Sequence, residues 1–258
     1  MLNISLNTVL PKLMLMKIIK LSAIDSTNDF LKDLSKNEVL ENFTIVVTHE
    51  QTKGKGQMGS SWKSEIGKNL IMSILIKNVL VEINEIFHLN VAISLALIQV
   101  LNEMDVPKLS IKWPNDIMSE QKKIAGILIE NSIKSDAKIE SIVGIGLNVN
   151  QYNFENLPNA SSISTIMKKE FDLENLMHKI STNIKKNCDL ILLKQTSILW
   201  KEYHCYLFKI GVPTAFEDAS KNKFMGIIQK VTNAGLLQII LEDDCIETFG
   251  IKEVKMLY

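Results

Sequence analysis

Polar and apolar positions along the chain fall into alternating stretches of strand and helix periodicity. Lys17 to Leu21 reads as a short strand, and Asp25-Ser26-Thr27-Asn28 then offers several capping side chains before Phe30, Leu31 and Leu34 at helical spacing. Phe43 to Thr48 and Asn69 to Ile76 are apolar and β-branched, as buried strands are. Ile86 to Met104 is nearly all apolar, with Leu89, Ile93, Ala96, Leu97 and Val100 on one broad face, which predicts a long helix backing the sheet. Ile111 to Ile117 and Lys122 to Glu130 predict strand, turn and strand around Pro114, a residue that cannot lie inside a paired strand. Ile139 to Asn150 adds a strand in which Gly144 and Gly146 strip one face, so that a flat ligand or a helix can come close.

From Ser161 to Leu199 the spacing is helical, through Leu173, Leu176, Ile180 and Ile184, with Lys168-Lys169 and Lys185-Lys186 on its solvated face. Beyond Tyr206 the texture changes to short strands near Pro213, Phe224 to Ile228, Leu236 to Leu241 and Glu247 to Gly250, with a turn at Asn233-Ala234-Gly235. A boundary near Leu207 therefore separates a large domain, residues 1–206, from a small β domain, residues 207–258.

Composition narrows the function. The 29 basic and 29 acidic side chains among 258 residues cancel, which argues against a general nucleic-acid or membrane-surface binder and for a small-molecule or protein partner. Cys188, Cys205 and Cys245 have no C-x-x-C spacing, so they read as reduced, small apolar fillers in a cytoplasmic protein. His49, His88, His178 and His204 lack a structural-zinc context. No apolar run reaches the ~18 to 20 residues that span a bilayer. Met1 to Met16 is interrupted by Lys12 and lacks a small-residue cleavage site, so it reads as a frayed tail or a misplaced start.

Three stretches carry polar groups that packing does not require. One of Ser26, Thr27 and Asn28 suffices to cap a helix, which leaves two to face a polar small molecule. Gln51 to Trp62 sets Gly54, Gly56 and Gly59 among lysines, a flexible loop whose backbone N–H and ammonium groups are able to wrap a polyphosphate; taken alone, the stretch is more simply a mobile surface loop. Its Gly54-x-Gly56-x-x-Gly59 matches a dinucleotide fingerprint only weakly, and no helix of the required kind is predicted there. Lys112-Trp113-Pro114-Asn115-Asp116 with Lys123 brings two lysines, an amide and a carboxylate to the ends of adjacent strands, suited to a phosphate and its magnesium or to a solvated hairpin turn.

In order along the chain, Asp25-Ser26-Thr27-Asn28, the Gln51 to Trp62 loop, Lys112-Trp113-Pro114-Asn115-Asp116, Lys123-x-Ala125-Gly126-Ile127-Leu128-x-Glu130 and Gly144-x-Gly146-x-Asn148 resemble the catalytic core of biotin protein ligases. The resemblance covers most of the chain. It implies an α+β fold: a mixed β-sheet catalytic domain backed by helices, like a class II synthetase, followed by a small C-terminal SH3-like β-barrel. It also implies that biotin and MgATP give biotinyl-5′-adenylate, whose acyl group passes to a lysine of a biotin carboxyl carrier domain. Lys123 then matches the lysine bridging the biotin carboxylate and the phosphate, Lys112 one that holds the phosphates, and Lys55 a third cation. Ser26, Thr27, Asn28, Gln51, Gly126 and Gly144 fall to biotin. Gly54, Gly56, Gln57, Gly59, Trp62, Asn115 and Asn148 fall to the nucleotide, and Asp116 to magnesium. Trp62 matches an aromatic that stacks on adenine, although a tryptophan also anchors loops in a core.

Two departures stand out. The family's loop reads Gly-Arg-Gly-Arg-x-Gly-Arg-x-Trp, whereas here Lys55 keeps a charge without the planar fork and Gln57 and Ser60 lose theirs. Loss of the arginine at Gln57 weakens the expected hold on the adenylate unless another cation compensates. In addition, about two dozen residues precede Ser26, too few for the helix-turn-helix of repressor members, so operator binding is not expected. A lipoate or octanoate ligase and a non-enzymatic biotin sensor are the rival readings. The sequence allows either a monomer or a homodimer.

Overall fold

The structure, a computed structural model, describes residues 16–80, 82, 85–134, 138–154 and 157–258, so the expectation for the first fifteen residues lies outside it. The main sheet has seven strands in the order β1-β2-β3-β7-β6-β5-β4. They are β1 (Ile18–Ile24), β2 (Ile45–Gln51), β3 (Leu70–Lys77), β4 (Leu109–Lys112), β5 (Asp116–Ser119), β6 (Lys122–Ile133) and β7 (Ile139–Leu147). Only the β1 and β2 pair is parallel, and every other neighbour is antiparallel, so the sheet is mixed as expected.

Ser26 alone caps α1 (Thr27–Asn37), its hydroxyl accepting from the Asp29 N–H at 3.3 Å, which leaves Thr27 and Asn28 for other work. α2 (Ile86–Glu103) is buried almost all round, between the sheet and α4 (Leu173–Leu192), and Asn187 Nδ2 of α4 donates to the Ala92 carbonyl at 3.0 Å. By length and composition α2 is apolar enough to cross a bilayer, which corrects the sequence expectation; 72% of it is buried inside the fold, as in a core helix. The continuous helix expected from Ser161 to Leu199 is three: α3 (Ile163–Met167), α4, and α5 (Thr196–Cys205). Lys168 and Lys194, both left-handed at φ 57°, end α3 and the turn after α4, and Asp172 restarts the chain by accepting from Asn175 N–H at 2.6 Å.

The C-terminal segment forms an antiparallel sheet in the order β11-β10-β9-β8-β12. Its strands are β8 (Pro213–Asp218), β9 (Lys223–Val231), β10 (Leu237–Leu241), β11 (Ile246–Phe249) and β12 (Val254–Leu257). The small C-terminal β-sheet expected from the sequence is thus present, with β11 and β12 at its edges among the described residues. One hydrophobic core runs from Leu97 and Val143 through Tyr203 to Phe216 and Ile239, so the two sheets share a single apolar interior. Cys188 is buried, but Cys205 at the end of α5 and Cys245 in the β10 to β11 turn are exposed, which corrects their assignment as core fillers. Neither position faces the core, and Cys245 N–H is spent on Asp243 Oδ1 at 3.1 Å.

Candidate active site

Strand pairing sets the floor of a cavity of about 580 Å³. Ile71 lies opposite Gly146, Gly146 opposite Gly126, Gly126 opposite Asp116, and Asp116 opposite Lys112. Residues directly opposed in a sheet share a face, so one row crosses five strands with two glycines at its middle and an acid and a base at its end. A register shift between Ile117 and Met118 gives β6 an extra residue, which brings Lys123 opposite Met118 and so onto the face of Asp116. The Lys123 ammonium then lies 2.6 Å from Asp116 Oδ1. Asn115, in the turn that carries the cis Trp113–Pro114 bond, donates its amide to the Ile127 carbonyl at 2.6 Å.

The stripped face is occupied by the protein itself. A Cβ on Gly146 would overlap the Trp62 indole, and one on Gly126 would lie 3.2 Å from Trp62 Cζ3 and 3.3 Å from Lys123 Nζ. Trp62 thus lies flat across both glycines, with the Lys123 ammonium 5.7 Å from the ring centroid. Its indole N–H is buried without a partner among the described residues. A Cβ on Gly144 would overlap Asn28 Oδ1, so this glycine makes room for a side chain of the wall and not directly for a ligand.

Behind that wall lies a hydrogen-bonded cluster in which Ser73, Glu130 and Lys32 join the residues the sequence had singled out. Gln51 Oε1 accepts from Thr27 N–H at 2.8 Å and from Thr27 Oγ1 at 2.9 Å. Ser73 Oγ lies 2.8 Å from Thr27 Oγ1 and 2.6 Å from Asn28 Oδ1, and Asn28 Nδ2 donates to Glu130 Oε2 at 2.9 Å. Lys32 in turn holds Glu130 at 3.1 Å. Three oxygen-to-oxygen contacts share two hydroxyl protons, so the cluster is rich in acceptors and Thr27 keeps a lone pair for a donor. The Gln51 amide nitrogen has no hydrogen-bond acceptor among the described residues, so the same end of the cavity also offers a donor. Ile71, Met72, Ile127, Leu128 and Ile145 supply apolar lining beside it.

The glycine-rich stretch is a closed hairpin and not an open loop. Gly56 N–H donates to the Ser60 carbonyl at 2.7 Å and Trp62 N–H to Gly54 at 2.9 Å, around a turn at Gln57–Gly59 where Met58 has φ 55°. Those two N–H groups are therefore committed. Lys55 is held by Asp29 at 2.7 Å, a hydrogen bond that pushes its pKa up, and Ser60 Oγ donates to the Gln57 carbonyl at 2.8 Å. Gln57 lines the cavity, while Gly54 and Gly59 do not.

Asn148 also stands apart: its amide donates to the Ser161 carbonyl at 3.0 Å, and it is not part of the cavity lining. The cavity does hold Ser26, Thr27, Asn28, Gln51, Lys55, Gly56, Gln57 and Trp62, together with Lys112, Asn115, Asp116, Lys123, Gly126 and Gly144. It is completed by residues the sequence did not suggest, above all Lys252 in the turn between β11 and β12 and Lys255 on β12. Lys252 Nζ donates to the Met58 carbonyl at 3.1 Å, and Trp113 Nε1 donates to Gly235 O at 2.9 Å, so the two parts of the chain meet at the site.

One face of a mixed sheet thus unites a hydrogen-bonding recess with a lysine and carboxylate row in a single cavity. The chain belongs to the biotin/lipoate A/B protein ligase family, which matches residues 21–150. It is 28% identical over 240 residues to the bifunctional ligase/repressor BirA of Bacillus spizizenii, covering 90% of this chain and 70% of that protein. It is 32% identical over 142 residues to the biotin–[acetyl-CoA-carboxylase] ligase of Mycobacterium tuberculosis, or 54% of this chain and 51% of that one. Among solved structures, the biotin protein ligase of Aquifex aeolicus in complex with biotin and ATP superposes with a TM-score of 0.77 at 26% identity, covering 93% of this chain and 98% of that one.

Proposed function

We propose that the protein is a biotin ligase that activates biotin with ATP as biotinyl-5′-adenylate and passes the biotinyl group to a lysine of a carboxyl carrier domain. The observation that carries this reading is the pairing, within one cavity, of the Thr27 and Gln51 recess with the Lys123, Asp116 and Lys112 row. A ureido head has two N–H donors and one carbonyl, which match the spare Thr27 lone pair and the free Gln51 amide. The apolar lining suits the rest of the molecule and leads its carboxylate to Lys123.

In the first step a carboxylate oxygen bonds to the α-phosphorus as the bond to pyrophosphate breaks, the electron pair leaving with pyrophosphate. Two anions approach in that step, so positioned cations lower its barrier more than a nucleophile would. Lys123 answers that need where carboxylate and phosphate meet. In the second step the carrier amine attacks the carbonyl and AMP leaves. Asp116 would hold magnesium together with phosphate oxygens and water, a donor set that magnesium favours, and the ion would neutralise phosphate charge. Trp62, over the glycines, would lie beside the base.

A lipoyl or octanoyl chain has no polar head, and its binding would leave the Gln51 amide buried and unpaired. Pyrophosphate exchange into ATP tests the choice. It should require biotin and be absent with lipoate or octanoate; exchange supported by octanoate and not by biotin would reverse the reading.

A further inference from the structure

We infer that Glu130 is a positioning residue for the recess. By holding the Asn28 side-chain amide in one of its two orientations it leaves the Thr27 hydroxyl short of a donor, and so makes the recess select a ligand that presents an N–H group. The ligand is taken from the reading above, on which this inference rests, but the orientation of the amide is a property of the chain alone.

Asn28, Thr27 and Ser73 are buried, so their polar atoms answer to one another and not to bulk water. A side-chain amide turned end for end fills the same space with donor and acceptor exchanged, and its neighbours decide which way it lies. Asn28 Nδ2 lies 2.9 Å from Glu130 Oε2 and 3.5 Å from the Leu128 carbonyl, both of which only accept. The amide nitrogen is therefore fixed on that side, and Oδ1 is turned to Ser73 Oγ at 2.6 Å. At the other end of the cluster the Thr27 N–H, 2.8 Å away, fixes Gln51 Oε1 as an acceptor in the same way. A row of oxygens results, Asn28 Oδ1, Ser73 Oγ, Thr27 Oγ1 and Gln51 Oε1, at successive separations of 2.6, 2.8 and 2.9 Å. Both ends are pure acceptors. Ser73 spends its proton on Asn28, and Thr27 Oγ1 is left without a donor among the described residues.

Glu130 sets this shortage, and Lys32 gives it direction. Lys32 Nζ takes Glu130 Oε1 at 3.1 Å, so Oε2 is the oxygen left for Asn28. With a glutamine in its place, the ammonium would keep the side-chain oxygen and leave the amide nitrogen facing Asn28. Asn28 would then turn its oxygen towards residue 130 and its nitrogen towards Ser73, adding a proton to the row and freeing Ser73 to donate to Thr27. A ligand N–H would meet a hydroxyl that already has a donor. Lys32 and Glu130 are part-exposed at the rim of the cluster, 42% and 28%, so neither substitution opens the core.

Calorimetric titration of the full chain with biotin, together with pyrophosphate exchange at varied biotin and ATP, tests this. Glu130→Gln should weaken biotin binding and raise its KM roughly tenfold, the worth of one hydrogen bond, while kcat and the KM for ATP stay within about twofold of the parent's. Lys32→Ala/Glu130→Gln should recover most of the loss, because the glutamine is then free to offer its oxygen to Asn28; a packing role for Glu130 would make the double variant worse. Without ligand, the Asn28 NH2 protons should show nuclear Overhauser contacts to Leu128 in the parent and to Ser73 in Glu130→Gln. A folded Glu130→Gln that binds biotin like the parent overturns the inference, as does a double variant no better than the single one. If the parent does not take biotin, the ligand assigned above is wrong, and the same Asn28 contacts in parent and Glu130→Gln would then overturn the inference separately.

Discussion

Lys123 bears the most concentrated demand at the scale of single residues, because the bulge in β6 aims its ammonium at the point where a carboxylate and a phosphate would meet. Its pair with Asp116 is only half-buried, with side-chain exposures of 35% and 20%, so its loss should cost the fold no more than about 1 kcal/mol. Lys123→Ala should therefore abolish adenylate formation while the circular dichroism and unfolding midpoint stay close to the parent's; retained activity would overturn the assignment. Gln57 sits across the cavity with a neutral side chain. Gln57→Arg should slow escape of biotinyl-adenylate by roughly tenfold, by adding a charge-assisted contact to the phosphate, and an unchanged release rate in a quench assay would sink that role. Residues next to their partners in sequence were legible: the cap at Ser26 and the spare Thr27 and Asn28 followed from local chemistry. Ser73 was not, and Glu130 was legible as a motif residue but not as the partner of Asn28 and Lys32, since these contacts join residues tens of positions apart. The motif around Asn148 says nothing of the Ser161 carbonyl, which takes its amide.

At the scale of elements, the alternation of apolar residues placed the strands and the core helices, but the breaks between α3, α4 and α5 depend on caps and left-handed residues that periodicity does not register. The glycine-rich stretch was legible as a loop over the site. Its closure into a hairpin was not, because the bonds from Gly56 to Ser60 and from Trp62 to Gly54 involve backbone groups that every residue carries. α4 offers a test of packing that is independent of the site. Burial pushes the Cys188 thiol from its ordinary value of 9.0 up to about 12, and burial also raises the pKa of the Tyr203 phenol. The folded state holds both protons more tightly than the unfolded chain, so their contribution is complete below about pH 9 and is lost as the pH rises towards 12. The unfolding free energy from urea titration should accordingly fall as the pH rises from about 9 towards 12, by up to about 1.4 kcal/mol per pH unit for each group, and more shallowly in Cys188→Ala. A flat profile would contradict the burial of both groups.

For the whole molecule, one apolar core and one cavity draw on both sheets, and the contact from Lys252 to Met58 spans 194 positions of sequence. The sequence motifs lie between residues 25 and 148 and say nothing of that partner, so the C-terminal strands were legible as a small β-sheet but not as part of the cavity lining. The polar recess, the lysine row and residues of the C-terminal sheet meet in that one cavity, which is what the proposed activation and transfer of an acyl group would require. The most direct test is to incubate the purified chain with ATP, magnesium, labelled biotin and a biotin carboxyl carrier domain, and to follow label on the carrier. Label should appear on the carrier lysine in the parent and be absent from Lys123→Ala; formation of neither adenylate nor labelled carrier by the folded parent would contradict the account.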